Sequence, residues 1–334
     1  MEYRRFGRSD LQVSALTLGC MAFGDQADEK ESFRMIDAAI DSGINLLDTA
    51  NIYKNGVSES IVGKALRANG RRDEIILATK FSGVMEKDKV NRSMCSRYHI
   101  MHECEASLRR LQTDHIDLYQ IHFMWPNADL YELFSTLDTL VRQGKVRYIG
   151  CSKWAPALIA EAHGLCDKHG WVKLLSEQPP YNLLDRRIED ELIWTCQRYG
   201  MAIIPWGPIG AGILSGKYSN ETPVPEHSRF KEIGGRCGVD AIDRADGLKP
   251  LAGGKGVTLA EYCLAWVVRQ SGITSPIIGP RNVEQLESSL RALDIDLTDQ
   301  DYQRINEIAP QGSYVSDYWE GNVYAKLRRS AGIK

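Results

Sequence analysis

The chain has 334 residues, 43% of them hydrophobic and 25% charged, and its 41 Lys and Arg against 44 Asp and Glu leave a formal charge of −3. This near-balance gives no electrostatic reason to expect a nucleic acid or an anionic membrane as partner, and the composition is that of a globular protein rather than a disordered or fibrous one. Eight cysteines at 20, 95, 104, 151, 166, 196, 237 and 263 contain no CxxC pair, which argues against a disulfide scaffold or zinc ribbon and for reduced, buried thiols.

The start, Met1 to Asp10, is charged and carries no apolar h-region, and the most apolar stretches, such as Cys263 to Val268, are far shorter than a bilayer span. A cytoplasmic protein acting on a small molecule is the expectation. Tyr3 to Phe6 and Leu11 to Ser14 flank Gly7-Arg8-Ser9-Asp10 and predict a β-hairpin over about 1–15. Beyond it, short apolar runs alternate with stretches of helical period. The runs predict strands at Leu16 to Leu18, Asn45 to Asp48, Ile75 to Thr79, Ile116 to Ile121, Val146 to Gly150, Leu175 to Gln178, Ala202 to Pro205 and Ser275 to Ile278. Helices are predicted near 29–42, 57–68, 99–111, 130–143, 156–168, 188–199, 256–270 and 282–292, each apolar along one stripe. Repeated βα units of this number fit an α/β fold closed as a (β/α)8 TIM barrel, in one domain over 1–334. Thr298-Asp299-Gln300-Asp301 reads as a capping box opening an extra C-terminal helix over 298–309, and 310–334 as an irregular tail. The Gly- and Pro-rich segment 207–255 breaks the βα rhythm and reads as a long functional loop.

In such barrels chemistry gathers at the carboxyl ends of the strands. There stand Asp48 after the second strand, Tyr53 in the next loop, Lys80 after the third and His122 after the fourth. Singly, each has an ordinary reading as a turn former, a packing ring, a solvated charge and a core histidine. Together the types suit one reaction: a tyrosine protonating a carbonyl oxygen, a lysine stabilising its phenolate, a carboxylate pairing the lysine and a histidine orienting the substrate. An unperturbed phenol titrates near pH ~10, and a nearby ammonium favours its ionised form.

The stretches Gly43-Ile44-Asn45-Leu46-Leu47-Asp48-Thr49-Ala50-Asn51-Ile52-Tyr53, Ala78-Thr79-Lys80 and Asp117-Leu118-Tyr119-Gln120-Ile121-His122 resemble the aldo-keto reductase family in spacing and order, over roughly residues 1–310. The resemblance implies reduction of aldehydes or ketones with NADPH, reversible toward alcohol oxidation, with Tyr53, Asp48, Lys80 and His122 as the catalytic set. It also implies cofactor contacts. Cys151-Ser152-Lys153-Trp154 resembles the family's Gly-x-Ser-Asn segment, with Lys153 in place of asparagine, so that Ser152 and Gln178 hold the nicotinamide carboxamide and Trp206 stacks on the ring. Gly19, Met21 and Asp48 lie beside it. Gly207, Pro208, Ile209, Gly210, Gly212, Leu214 and Lys217 form the diphosphate loop, with Gly207 where serine is common and Arg229 as a further phosphate contact. Without the resemblance this loop is weak evidence, matching neither G-x-G-x-x-G nor a P-loop. Gly279, Arg281, Gln285 and Ser289 hold the adenosine end, Ser289 standing where asparagine is frequent. The planar fork of Arg281 suits a 2′-phosphate, which favours NADPH over NADH.

The pocket wall is expected from Phe23, Phe81, Phe123, Met124, Trp125 and Trp154 beside Tyr53 and His122, with Tyr314, Tyr318 and Trp319 of the tail shaping specificity. No metal is expected, because His99 and His102 with Cys95 and Cys104 offer no third ligand on one side. Leu108-Arg109-Arg110-Leu111 reads as a solvated helix face. Since potassium-channel β subunits resemble the same family, a cofactor-binding redox-sensing or regulatory subunit with slow turnover is the alternative function. A hydrolytic barrel would need paired carboxylates or metal ligands at the strand ends, where only Asp48 qualifies. Oligomeric state is left open.

Overall fold

The computed structural model describes residues 1–85, 90–91, 94–123, 125, 127–219, 238–316 and 332. The chain enters through an antiparallel hairpin of β1 (Tyr3–Arg5) and β2 (Gln12–Ser14), with Tyr3 opposite Ser14. Eight parallel strands follow: β3 (Thr17–Gly19), β4 (Leu46–Asp48), β5 (Ile76–Phe81), β6 (Ile116–Ile121), β7 (Val146–Cys151), β8 (Ser176–Glu177), β9 (Ala202–Ile203) and β10 (Ile277–Ile278). They pair in chain order, and β10 pairs with β3. Ile277 N donates to Pro205 O at 2.8 Å and Thr274 N to Ile203 O at 2.8 Å, so the last strand also meets the seventh. The expected (β/α)8 barrel with its N-terminal hairpin is the observed architecture.

The strands read as continuous apolar runs because both faces are covered. Alternate residues serve two cores. Leu46, Ile76, Ala78, Leu118, Leu175, Ala202 and Ile204 form an inner cluster into which the hairpin pushes Phe6 and Val13. Leu47, Leu77, Phe81, Tyr119, Ile121 and Ile149 belong to the layer under the helices. The hairpin therefore plugs the barrel from the end opposite the strands' carboxyl termini.

The helices are α1 (Glu29–Asp41), α2 (Val57–Asn69), α3 (Arg97–Leu111), α4 (Leu130–Arg142), α5 (Pro156–His169), α6 (Leu192–Arg198), α7 (Val239–Gly254), α8 (Leu259–Val268), α9 (Val283–Arg291) and α10 (Asp299–Ile308). Their starts are chemically marked: Asp28, Ser96, Asp129 and Asn282 accept main-chain N–H bonds as caps, and Thr258 with Glu261 and Thr298 with Asp301 form full capping boxes. Two expectations are corrected. Segment 207–255 is not loop throughout, because α7 occupies its second part. The helical stripe Ala241, Ile242, Ala245, Leu248 and Ala252 is buried, but Pro250 and three glycines hide it from a composition-based reading. The stretch 188–199 divides into a 3-10 turn at Arg187–Glu189 and the short α6. The seven cysteines among the described residues are free and buried, while Cys237 lies outside them.

Helices α2 and α3 approach closely at Gly63, where a Cβ would lie 2.5 Å from the carbonyl carbon of Leu111 and 2.6 Å from Arg110 O. Backbone cannot rotate away as a side chain can. Gly63→Ala is expected to lower stability by about 1–3 kcal/mol through overpacking. Urea unfolding checks this, and a wild-type midpoint would mean that the two helices separate without cost.

Candidate active site at the carboxyl rim

The period of two along the strands places Asp48, Lys80 and Gln120 on the inner face at neighbouring positions, Lys80 being the register partner of Gln120. All three are buried, Asp48 at 2% exposure and the other two at 0%. Lys80 Nζ donates to Asp48 Oδ1 at 2.5 Å, to Thr49 O at 2.8 Å and to Tyr53 Oη at 3.2 Å, which uses all three ammonium protons. The second carboxylate oxygen of Asp48 accepts from Gln120 Nε2 at 2.9 Å and Gln178 Nε2 at 3.0 Å. Burial alone would push the Lys80 ammonium down, but Asp48 and then Tyr53 outweigh it and hold it above the ordinary lysine value.

Tyr53 opens a turn between β4 and α2 and remains partly exposed, its ring edge-on to His122 at 5.8 Å between centroids. His122 stacks on Phe123 at 4.3 Å, and its buried Nδ1 has no hydrogen-bond partner among the described residues. Burial first, then the charges of Lys80 and Lys153, push His122 well below the ordinary histidine range, so it is neutral near pH 7. The four residues singled out from the sequence thus converge on one rim.

Around them, Ser152 Oγ donates to Gln178 O at 2.8 Å, and the two Nε2 protons of Gln178 go to Asp48 and, at 3.1 Å, to Gln120 Oε1, so that only its amide oxygen is left to meet a ligand. Lys153 has a left-handed backbone (φ 59°) and sets its ammonium 4.4 Å above the ring of Phe123. Behind this loop the fully buried Glu177 accepts from Trp154 N at 3.1 Å and from Cys151 Sγ at 2.9 Å. Trp206 is half-buried and joins β-bridges to Pro180 and Ile277. After it Gly207, Gly210, Ala211, Gly212 and Gly216 all have positive φ, and Asn182 Nδ2 holds Gly207 O at 2.8 Å. Backbone turns of this kind make concavities that suit anions. The Lys217 ammonium lies 3.5 Å from where a Gly212 Cβ would stand, over the same loop. The Leu214 side chain is in the core, so only its main chain is available there. At the start of α9, Arg281 N donates to Gln285 Oε1 and Ser289 Oγ to Gln285 O. Gly19 is buried on β3 beside Asp48, and Met21 is exposed on the rim.

Phe123 and Trp125 lie partly exposed at the mouth, Trp125 Nε1 donating to Ser82 O at 3.1 Å. Phe23, Phe81 and Trp154 do not form an open wall. Their exposures are 0%, 0% and 2%, and Phe81 stacks on Tyr119 in the helix-facing layer. Tyr314 is exposed under the Arg187 guanidinium, 3.9 Å from its ring. Met124, Arg229, Tyr318 and Trp319 fall outside the described residues. Among the described residues, no cluster of three or more His, Cys, Asp or Glu could hold a metal, and no helix is long and apolar enough to cross a membrane.

The sequence reading passed over Gln120, Glu177 and the partners of Arg110. Gln120 carried a signal, since it precedes His122 by two residues on one strand face. Arg110 is also corrected here. It is not a solvated charge, because its Nε donates to the buried Glu59 carboxylate at 2.6 Å.

The carboxyl rim of a closed parallel barrel, where active sites of this fold lie, thus gathers a Lys–carboxylate pair, a phenol and a neutral imidazole. The sequence model of the Aldo/keto reductase family matches residues 15–310. The chain is 37% identical to the uncharacterized oxidoreductase YrpG of Bacillus subtilis, covering 93% of this chain and 96% of that one. It is 36% identical to aldo-keto reductase AMT2 of Alternaria alternata over 91% of this chain and 90% of that protein. A protein described as "Probable voltage-gated potassium channel subunit beta" from Arabidopsis thaliana is 34% identical, over 88% of this chain and 92% of its own. The chain belongs to the aldo/keto reductase family, a family of oxidoreductases acting on carbonyl compounds.

Proposed function

We propose that this protein is a cytoplasmic NADPH-dependent reductase of aldehydes or ketones, reversible toward alcohol oxidation, with Tyr53 as its general acid. The observation that carries the reading is the chain Asp48–Lys80–Tyr53, joined by bonds of 2.5 Å and 3.2 Å at the mouth of the barrel.

The carbonyl oxygen is taken between Tyr53 Oη and the neutral His122, which orients it. Tyr53 gives its proton to that oxygen, and Lys80 Nζ stabilises the phenolate left behind. Asp48 keeps Lys80 charged, and Gln120 and Gln178 keep Asp48 satisfied on its second oxygen. The residues present fit a nicotinamide dinucleotide: Ser152, the amide oxygen of Gln178 and Trp206 for the nicotinamide, with Gly19 and Met21 beside it, and the loop from Gly207 through Pro208 and Ile209 to Gly212, left-handed at Gly207, Gly210, Ala211 and Gly212, with the main chain of Leu214 and Lys217 for the diphosphate. Gly279, Arg281, Gln285 and Ser289 then serve the adenosine end, the fork of Arg281 favouring a 2′-phosphate. When bound, this group supplies the hydride for the carbonyl carbon. The substrate pocket is assigned to Tyr53, His122, Phe123 and Trp125.

The test follows NADPH absorbance with a panel of aldehydes, ketones and diketones, repeated with NADH and with Tyr53→Phe. Wild-type turnover that falls by roughly 10²–10⁴-fold in the variant, with cofactor affinity kept, supports the assignment. Equal turnover in Tyr53→Phe overturns it. The Arabidopsis relative supports a second reading, a cofactor-binding regulatory subunit; tight cofactor binding with no carbonyl turned over would favour that one.

A further inference from the structure

We propose that Arg110 is a positioning residue for Tyr53, clamping from outside the barrel the left-handed turn that aims the phenol at Lys80. The inference rests on the reading of Tyr53 as the proton donor.

Three consecutive residues after Tyr53 are left-handed: Lys54 (φ 46°, ψ 40°), Asn55 (φ 54°, ψ 46°) and Gly56 (φ 90°, ψ −4°). An L-residue pays on the order of 1–2 kcal/mol for that conformation, so a run of them persists only where surrounding structure dictates it. One support is external, the ion pair of Lys54 with Asp25 at 2.7 Å between side chains that are both roughly half exposed to water. Solvent screening makes such a pair weak.

The internal support is a guanidinium. Arg110 lies so close to Gly56 that a Cβ there would be 2.6 Å from its Cδ and 2.8 Å from its Nε, which requires glycine and seats the turn against the arginine. Arg110 Nε donates to Glu59 Oε2 at 2.6 Å in the first turn of α2. Glu59 Oε1 accepts from Thr79 Oγ1 at 2.6 Å, and Thr79 immediately precedes Lys80 on β5. Arg110 Nη2 also lies 3.7 Å from Glu103 Oε2, which accepts from Asn51 Nδ2 at 2.8 Å, two residues before Tyr53. Glu59 and Glu103 are buried, at 0% and 2% exposure, so their pairing is little screened. The segments on both sides of Tyr53 and the neighbour of Lys80 are thus tied to one side chain on α3. The bonds of Arg110 run to Glu59 and Ser107, and it acts on Tyr53 and Lys80 through the backbone that bears them.

The variants are Arg110→Met with Glu59→Gln, which avoids stranding the Glu59 carboxylate and leaves Glu103 its contact with His102 Nδ1 at 3.1 Å, and Arg110→Lys. The expected result is a kcat lowered by up to ~10²-fold, the scale of a 1 Å misplacement, with substrate KM and NADPH affinity near wild type. The alkaline limb of the kcat profile for reduction should move to higher pH, because a phenol farther from Lys80 ionises less readily. Arg110→Lys, which keeps charge but not the fork, should recover part of the loss. Unchanged kcat overturns the proposal, and so does a lowered kcat with an unmoved alkaline limb, which marks loss of folded enzyme only. Amide exchange over residues 51–58 reads the clamp without turnover: faster exchange in the variants supports it and unchanged exchange overturns it. Tyr53→Phe turning over like wild type would instead defeat the reading of Tyr53, whatever the exchange shows.

Discussion

Replacing Lys80 by methionine is expected to lower stability by about 3–5 kcal/mol, the usual result of removing one partner of a buried ion pair, and, on the proposed mechanism, to remove turnover. The carboxylate of Asp48 is 2% exposed and accepts from Lys80 on one oxygen and from Gln120 and Gln178 on the other. Methionine replaces the lysine stem in volume, but it leaves a charge in the barrel with two neutral donors and no countercharge. Adding Asp48→Asn removes that charge and should recover most of the stability while turnover stays lost, because neither variant can stabilise a Tyr53 phenolate. Urea unfolding of both variants, read beside their rates, separates the two roles. A single Lys80→Met variant as stable as wild type would show that the pair does not stabilise the barrel and leave only the proposed role in catalysis.

The second large effect depends on pH. Burial pushes the Glu177 carboxyl up from 4.5 to about 7, against the opposing bonds from Cys151 and the main-chain N–H groups of Trp154 and Lys153. In the unfolded chain the group loses its proton near the ordinary value, and in the folded protein only near 7. Between those values the folded state holds the extra proton, so stability falls as pH rises through the window. Above about 7 both states are ionised and the native one carries the full penalty, about 3 kcal/mol for the cited shift. Glu177→Gln keeps an acceptor for Trp154 N and does not titrate. The variant should match wild type at pH 4 and exceed it by about 3 kcal/mol at pH 8, as measured by urea unfolding. A gap independent of pH would mean that Glu177 titrates as an ordinary carboxyl. Because its partners lie in the loop of Ser152 and Lys153, the same variant reports whether a charge is needed to hold that loop.

Much of the barrel is legible in the sequence. Parallel strands covered on both faces must be apolar throughout, and this is why Ile116–Ile121 was read at its true bounds. The capping box at Thr298 announced α10, because a first-turn N–H group needs an acceptor that only certain side chains provide. Asp48, Lys80 and His122 stood out as polar groups at the ends of such runs. In contrast, α7 was hidden, since its glycines and Pro250 mimic loop composition while tertiary packing of one stripe holds the helix.

By itself, then, the sequence determined the order of strands and helices, the hairpin and the polar residues at the carboxyl rim, because these follow from local periodicity and from the few side chains able to cap, turn or ionise. Only the tertiary structure decided which of those side chains meet. Arg110 pairs with Glu59 across 51 residues and Gln178 reaches Asp48 across 130, separations at which no local pattern carries information. It also decided that Phe23, Phe81 and Trp154 pack into the layer between strands and helices while Phe123 and Trp125 stand at the mouth. An aromatic residue near a strand end satisfies the same composition in either place, and its direction is set by which face of the closed barrel it occupies.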